Sequence, residues 1–307
     1  MATRGFFTWG FRIADPHLPK GYDAARPLAF MHIPKTSGVA ITGGLRAVLA
    51  PVRAVSGFDH SSFGSCRGFD SIDASIRSGI YDSPASLPAD ADLIVGHFAL
   101  STLLGAYPRA QRLTLLREPF SRLLSHWLYW RQHTDAELLH WGNWADRVRL
   151  SRRPLADFLS DPSVACQTDN LVLRMLLWPH PMLPEAQFID PVNDERLVRE
   201  ATARLLAFDF VDIVDDGKFV GRLESWLGRS FHYVLENETK SIPHEFRSPL
   251  HLELSADVAE LLEARSRLDF KLWDRIAARH MPAQNVLKLH KQTILANVAR
   301  YGVLMAC

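Results

Sequence analysis

The chain has 307 residues, 47% of them hydrophobic, enough for one large domain or two small ones with a full core. Its 35 basic and 34 acidic residues leave a net charge of +1. That balance argues against a general nucleic-acid binder and makes any anion site a local one.

The opening stretch, MATRGFFTWGFRIADPHLPKGYD, is interrupted by Arg12, Asp15, Pro16 and Pro19. It reads as neither a signal peptide nor a membrane anchor. No other stretch approaches the roughly 20 apolar residues of a membrane-spanning helix, so a cytoplasmic protein is expected. Residues 1–27 read as an extension, 28–280 as the main domain and 281–307 as a helical tail with a basic, modestly amphipathic pattern. Cys66, Cys166 and Cys307 are odd in number and far apart. They show neither zinc spacing nor a disulfide framework, as buried thiols of a reducing compartment do.

Four short runs read as buried strands: LAFMHI (28–33), DLIVGH (92–97), RLTLLR (112–117) and FDFVDIV (208–214). Each is nearly continuous in apolar residues, as in strands covered on both faces. Helical patterns lie between and after them: FSRLLSHWLYWRQH, DERLVREATARLLA, and SADVAELLEARSRLDFKLWDRIAARH with Ser255 as a plausible N-cap. The alternation predicts a single α/β domain with a mostly parallel sheet flanked by helices. Residues 55–91, rich in Ser, Gly and Asp, are expected to form a long irregular excursion, either a lid or substrate wall or a plain insertion.

Ligands of such sheets bind beyond the carboxyl ends of the strands, and three strand ends here carry chemistry. The first runs into PKTSG, the second ends at Gly96-His97, and the third at Arg117-Glu118-Pro119. The first segment is similar to a phosphate loop but lacks the glycine spacing of GxxxxGK[ST]; an ordinary strand-to-helix turn is the competing reading. After the third, Ser121 and Ser125 share a helix face with Arg122 between them. Arg117 with Ser125 can grip a phosphate by a planar fork and a hydroxyl. Two separated anion sites suit a nucleoside carrying phosphate groups at both ends.

HIPKTSG followed by LLREPFSRLLSHW resembles the sulfotransferases that use 3′-phosphoadenosine 5′-phosphosulfate, above all the branch similar to heparan sulfate 2-O-sulfotransferase and its bacterial relatives. Weaker echoes are DNLVLRMLL (169–177), FVDIVDDGKFVGRLESWLG (210–228), ENETKS (236–241) and LDFKLWDRIA (268–277). The resemblance implies a P-loop-like α/β fold across roughly 28–280. It implies that Lys35, Thr36, Ser37, Gly38 and Val39 hold the 5′-phosphosulfate, and that Arg117 and Ser125 hold the 3′-phosphate. Where that family has Gly-Gly-Thr-Ser, this chain reads Ser37-Gly38-Val39-Ala40, so two hydroxyls are absent.

Sulfuryl transfer needs in-line geometry, stabilised leaving-group charge and a base. Lys35 suits the leaving group. His97 suits the base, as the GH context of the family also implies. No metal is expected. The acceptor is expected to be a hydroxyl compound, a glycan or glycolipid before other small molecules. Trp127, Trp130, Trp141 and Trp144 are either a sugar-stacking wall or core. Arg147, Arg149, Arg152 and Arg153 are either a solvated face or an anion contact. The alternatives are a P-loop kinase, with Asp212 or Asp215 on magnesium, and a non-catalytic nucleotide-binding protein of the same fold.

Overall fold

The central sheet has six strands: β1 (Leu28–Met31), β2 (Ala54–Asp59), β3 (Ile80–Tyr81), β4 (Leu93–His97), β5 (Gln111–Leu116) and β6 (Phe210–Ile213). They lie in the order β3-β2-β4-β1-β5-β6, with every pairing parallel. The computed structural model describes residues 21–232 and 241–306. The opening stretch to residue 20, nearly all of ENETKS and Cys307 therefore lie outside the described residues. Cys66 and Cys166 are buried free thiols.

Eight longer helices accompany the sheet: α1 (Gly38–Leu49), α2 (Leu100–Ala106), α3 (Pro119–Arg131), α4 (Leu171–Leu177), α5 (Asp194–Leu206), α6 (Phe219–Leu227), α7 (Ala256–Ala277) and α8 (Ala283–Met305). Strand β1 shows why its sequence is apolar throughout. Ala29 and Met31 enter a core with Leu103 of α2, Leu176 of α4 and Trp273 of α7. Leu28 and Phe30 enter the opposite core with Ile41 and Leu45 of α1 and Leu223 and Trp226 of α6. A third core, around Trp127, Phe158 and Leu262, joins α3 to α7 and to the end of α8.

Local signals set the helix starts. Ser255 accepts the Val258 N–H at 3.3 Å, capping α7 as expected. Helix α3 begins at Pro119, with the buried Glu118 carboxylate accepting the N–H groups of Phe120 (3.0 Å) and Ser121 (2.7 Å). Asp269 of α7 accepts the N–H groups of Val172 and Leu173, both at 3.0 Å. Burial pushes its carboxyl up to about 6 against the pull of Arg122 and those two bonds. The DNLVLRMLL echo is thus a helix start pinned to α7.

The excursion at 55–91 departs from expectation, because it holds most of β2 and all of β3. AVSGFD carries no apolar run, and β2 has two exposed positions, so its pattern resembles a loop. It pairs with β4 by close backbone approach: Gly57 lies opposite Gly96, where a Cβ on Gly96 would come within 2.3 Å of the Gly57 carbonyl oxygen. No helix among the described residues is long and apolar enough to cross a membrane.

Candidate functional site

Beyond Met31 the chain turns through 32–37 into α1. Lys35 (φ 70°) and Ser37 (φ 60°) occupy the left-handed region, a costly state for residues with a Cβ. Two bonds hold the turn: the buried Thr36 hydroxyl donates to the Ile33 carbonyl at 2.8 Å, and Arg117 Nη1 donates to the Lys35 carbonyl at 3.0 Å. Gly38 is required by crowding, since a Cβ there would fall 1.8 Å from the His32 ring. Ser37 makes no side-chain cap. The first N–H groups of α1 thus receive no cap from the Ser37 side chain, and the helix dipole makes such an end favourable to negative charge.

These residues border a cavity of about 440 Å³ at the carboxyl ends of β1, β4 and β5, the position where open α/β sheets bind ligands. Lys35, Arg117 and Arg300 bring three cations to it, and the buried Ser125 adds a hydroxyl. The Lys35 ammonium sits 3.9 Å from the centre of the Tyr129 ring. Burial, then the charges of Arg117 and Arg300, bring its pKa down to about 7. Arg117 Nη2 donates to Asn297 Oδ1 at 2.7 Å and lies 3.4 Å from the Tyr301 hydroxyl, linking the β5 loop to α8.

His97, at the end of β4, has Nδ1 2.7 Å from the His32 carbonyl oxygen. A carbonyl only accepts, so Nδ1 carries the proton and Nε2 keeps its lone pair. Burial lowers the imidazole to about 4, opposed by that hydrogen bond and assisted by the Lys35 charge. The His97 ring lies 4.5 Å from that of His32 and 5.2 Å from that of Phe58. Around it, Ser62 donates to the His97 carbonyl at 2.9 Å, and the Ala99 N–H donates to Asp59 Oδ2 at 2.7 Å. The end of the β2 segment is thereby tied to the β4 turn.

The cavity is also bordered by Phe58, Phe63, Trp130, Trp141 and Trp144. Trp127 is not among them; it is wholly buried in the core, with the Arg131 guanidinium 4.7 Å over its ring. His126 borders the cavity with its ring 4.5 Å from that of Trp130. The basic run is committed elsewhere. Arg147 donates to the carbonyls of Phe63 (3.2 Å) and Ser163 (2.8 Å), while Arg149 and Arg152 both pair with Asp135. Arg153 does not border the cavity. Of the two aspartates, Asp212 is held by Arg222 at 2.6 and 2.8 Å. Asp215 borders the cavity and accepts from the Glu118 N–H (2.6 Å) and Trp273 Nε1 (3.0 Å). Burial raises Asp215 to about 6 against the pull of Arg117. No group of three or more His, Cys, Asp or Glu side chains suited to a metal ion occurs among the described residues.

Lys35, Ser37, Gly38, Val39, His97, Arg117 and Ser125 thus meet at one cavity. Thr36 does not; its hydroxyl is turned to Ile33, leaving it the role of bracing the turn. Sequence reasoning missed His32, His126, Tyr129, Asn297, Arg300 and Tyr301. The first three adjoin quoted motifs and could have been suspected. The last three sit on α8, far from any motif, in a segment read only as a tail. Compared with known proteins, the chain matches no family model and no curated sequence.

Proposed function

We propose that this chain is a sulfotransferase, moving a sulfuryl group from 3′-phosphoadenosine 5′-phosphosulfate to a hydroxyl acceptor. The observation that carries the reading is the meeting of Lys35, Arg117 and Ser125 with a neutral, tautomer-fixed His97 at the ends of three adjacent strands. With β3 set aside, the strand order β2-β4-β1-β5-β6 and the loop from the central strand into α1 support a P-loop-like sulfotransferase fold.

The donor set suits a nucleotide with phosphate groups at both ends. Lys35 and the uncapped start of α1 would hold the 5′ group; Arg117 and Ser125 would hold the 3′ group. The missing hydroxyls at Val39 and Ala40 leave the backbone N–H groups in place. The donor supplies the sulfuryl group. Lys35 offsets negative charge as the nucleotide leaves, and His97 Nε2 takes the acceptor's proton. The kinase reading draws on Asp215 alone, since Asp212 is bound to Arg222.

Transfer of labelled sulfate from the donor into a cell extract tests the proposal, with a thermal-shift series beside it. A labelled product is expected, with adenosine 3′,5′-bisphosphate stabilising the fold more than AMP or ATP. At 100 times its dissociation constant that gain is about 2.7 kcal/mol. Equal stabilisation by AMP and no labelled product would overturn the reading, and magnesium-dependent ATP turnover would replace it with the kinase.

A further inference from the structure

Resting on the sulfotransferase reading, we infer that the acceptor is an uncharged alcohol carried on an apolar ring, seated against Trp130, Trp141 and Trp144 and held by His126. The aromatic wall is already locked. Phe63 meets Trp144 edge-on at 5.0 Å, Trp130 meets Trp144 at 5.8 Å, and Phe58 meets Trp141 at 6.2 Å, with interplanar angles of 75°, 88° and 86°. Perpendicular packing of this kind fixes each ring through its neighbour. A preformed apolar surface favours a rigid apolar guest.

The charges point the same way. Arg147, the cation nearest this wall, sits 5.5 Å over the Trp144 ring, and its fork is occupied by two carbonyls and the Ser65 hydroxyl. Lys35, Arg117 and Arg300 belong to the half that the donor's phosphates need. An acidic saccharide would therefore press carboxylates against rings that offer no counter-charge. A neutral sugar fares little better, because each hydroxyl buried against tryptophan without a partner costs about 1–3 kcal/mol.

One polar group at the wall does ask for a partner. His126 is 2% exposed, and neither ring nitrogen has a hydrogen-bond partner. Burial and the charge of Arg122 keep its imidazole neutral. A neutral imidazole offers one donor and one acceptor, which suits a ligand with a single hydroxyl and not a polyol. With His97 as the base, the hydroxyl lies between two histidines and the ring lies on the tryptophans.

The probes are 2-naphthol and a uronic acid disaccharide, each tested by quenching of tryptophan fluorescence and as a transfer acceptor, alongside titration with adenosine 3′,5′-bisphosphate. Saturable quenching and transfer with 2-naphthol are expected. His126→Phe and, as a milder change on a half-buried residue, Trp141→Leu should each raise the KM for 2-naphthol about tenfold. Affinity for the bisphosphate should stay unchanged in both. A disaccharide used as well as 2-naphthol, or a 2-naphthol KM indifferent to both substitutions, overturns the proposal. Failure of the bisphosphate to bind, while Trp141→Leu still weakens 2-naphthol quenching about tenfold, would sink the sulfotransferase reading and leave the ring site standing. Bisphosphate binding without quenching would do the reverse.

Discussion

The cation-lined part of the cavity and the aromatic part border the same space, yet they stand in different energetic conditions. On the cation side, Lys35 and Ser37 adopt left-handed backbone, and the start of α1 is uncapped. There burial, with the charges of Arg117 and Arg300 adding to it, brings the lysine to about 7. On the aromatic side each ring packs on another, and among the groups bordering it His126 alone has buried nitrogens without partners. The first half carries strain and repulsion that an anion would relieve; the second is complete apart from one hydrogen-bonding group. Such unrelaxed features are retained where they serve binding or chemistry.

The largest expected effect separates chemistry from binding at the border of the two halves. His97→Ala should lower turnover by about 10²–10⁴-fold while affinity for adenosine 3′,5′-bisphosphate stays within a few-fold. In the wild type at saturating donor, kcat/KM for the acceptor should stay level from pH 7 down to 5. It should fall only as the imidazole takes up a proton at about 4. Transfer assays and nucleotide titrations on both proteins check this, and near-normal turnover in the variant would remove His97 as the base.

Next in size is a contrast within the tryptophans. Trp127→Ala opens the core beneath α3 and should cost about 3–5 kcal/mol of stability. Trp141→Ala removes a half-buried ring and should cost markedly less. Denaturant melts of the two variants measure the difference. Equal losses would mean that the wall is core after all.

On the cation side, Arg117→Ala should weaken bisphosphate binding by about 1.5–3 kcal/mol, the scale of a charge-assisted bond. It also releases the Lys35 carbonyl and Asn297. Ser125→Ala should cost less, since it removes a neutral hydroxyl. Isothermal titration orders the two, and a larger loss at Ser125 would reverse the assignment of the 3′-phosphate.

Legibility in the sequence followed the same divide between local and assembled features. β1, β4, β5 and β6 were readable because burial on both faces demands apolar residues in succession, as Leu28, Ala29, Phe30 and Met31 show. Strand β2 was hidden, because its place beside β4 depends on the absence of side chains at Gly57 and Gly96 and not on apolar bulk. Lys35, His97 and Arg117 were found because each ends a readable strand. Asn297 and Arg300 were not, because α8 reaches the cavity only through tertiary packing around Tyr301 and Met305. Thr36 and the arginines at 147–152 show the converse, that residue type alone does not say where a donor is engaged. Their residue types suit an anion, but their donors are used on the fold itself.

The smallest effect tests whether burial and neighbouring charge on the cation side disfavour the charged lysine. With a pKa of about 7 in the free protein, Lys35 is half-charged at neutrality, and a bound phosphate would favour its charged form. Binding above pH 7 must then take up a proton, so affinity is greatest below 7 and falls as pH rises through it. Between pH 7 and 8 linkage gives a loss of roughly five-fold, about 1 kcal/mol. The ligand's own second phosphate ionisation, near 6, runs the other way and is nearly complete by then. Lys35→Arg, whose guanidinium stays charged throughout, should bind with no such slope above pH 7. Titrations of both proteins at pH 7, 7.5 and 8 measure it. A flat profile in the wild type would mean that Lys35 is fully charged in the free site, and that the cationic half carries no electrostatic penalty for a bound anion to relieve.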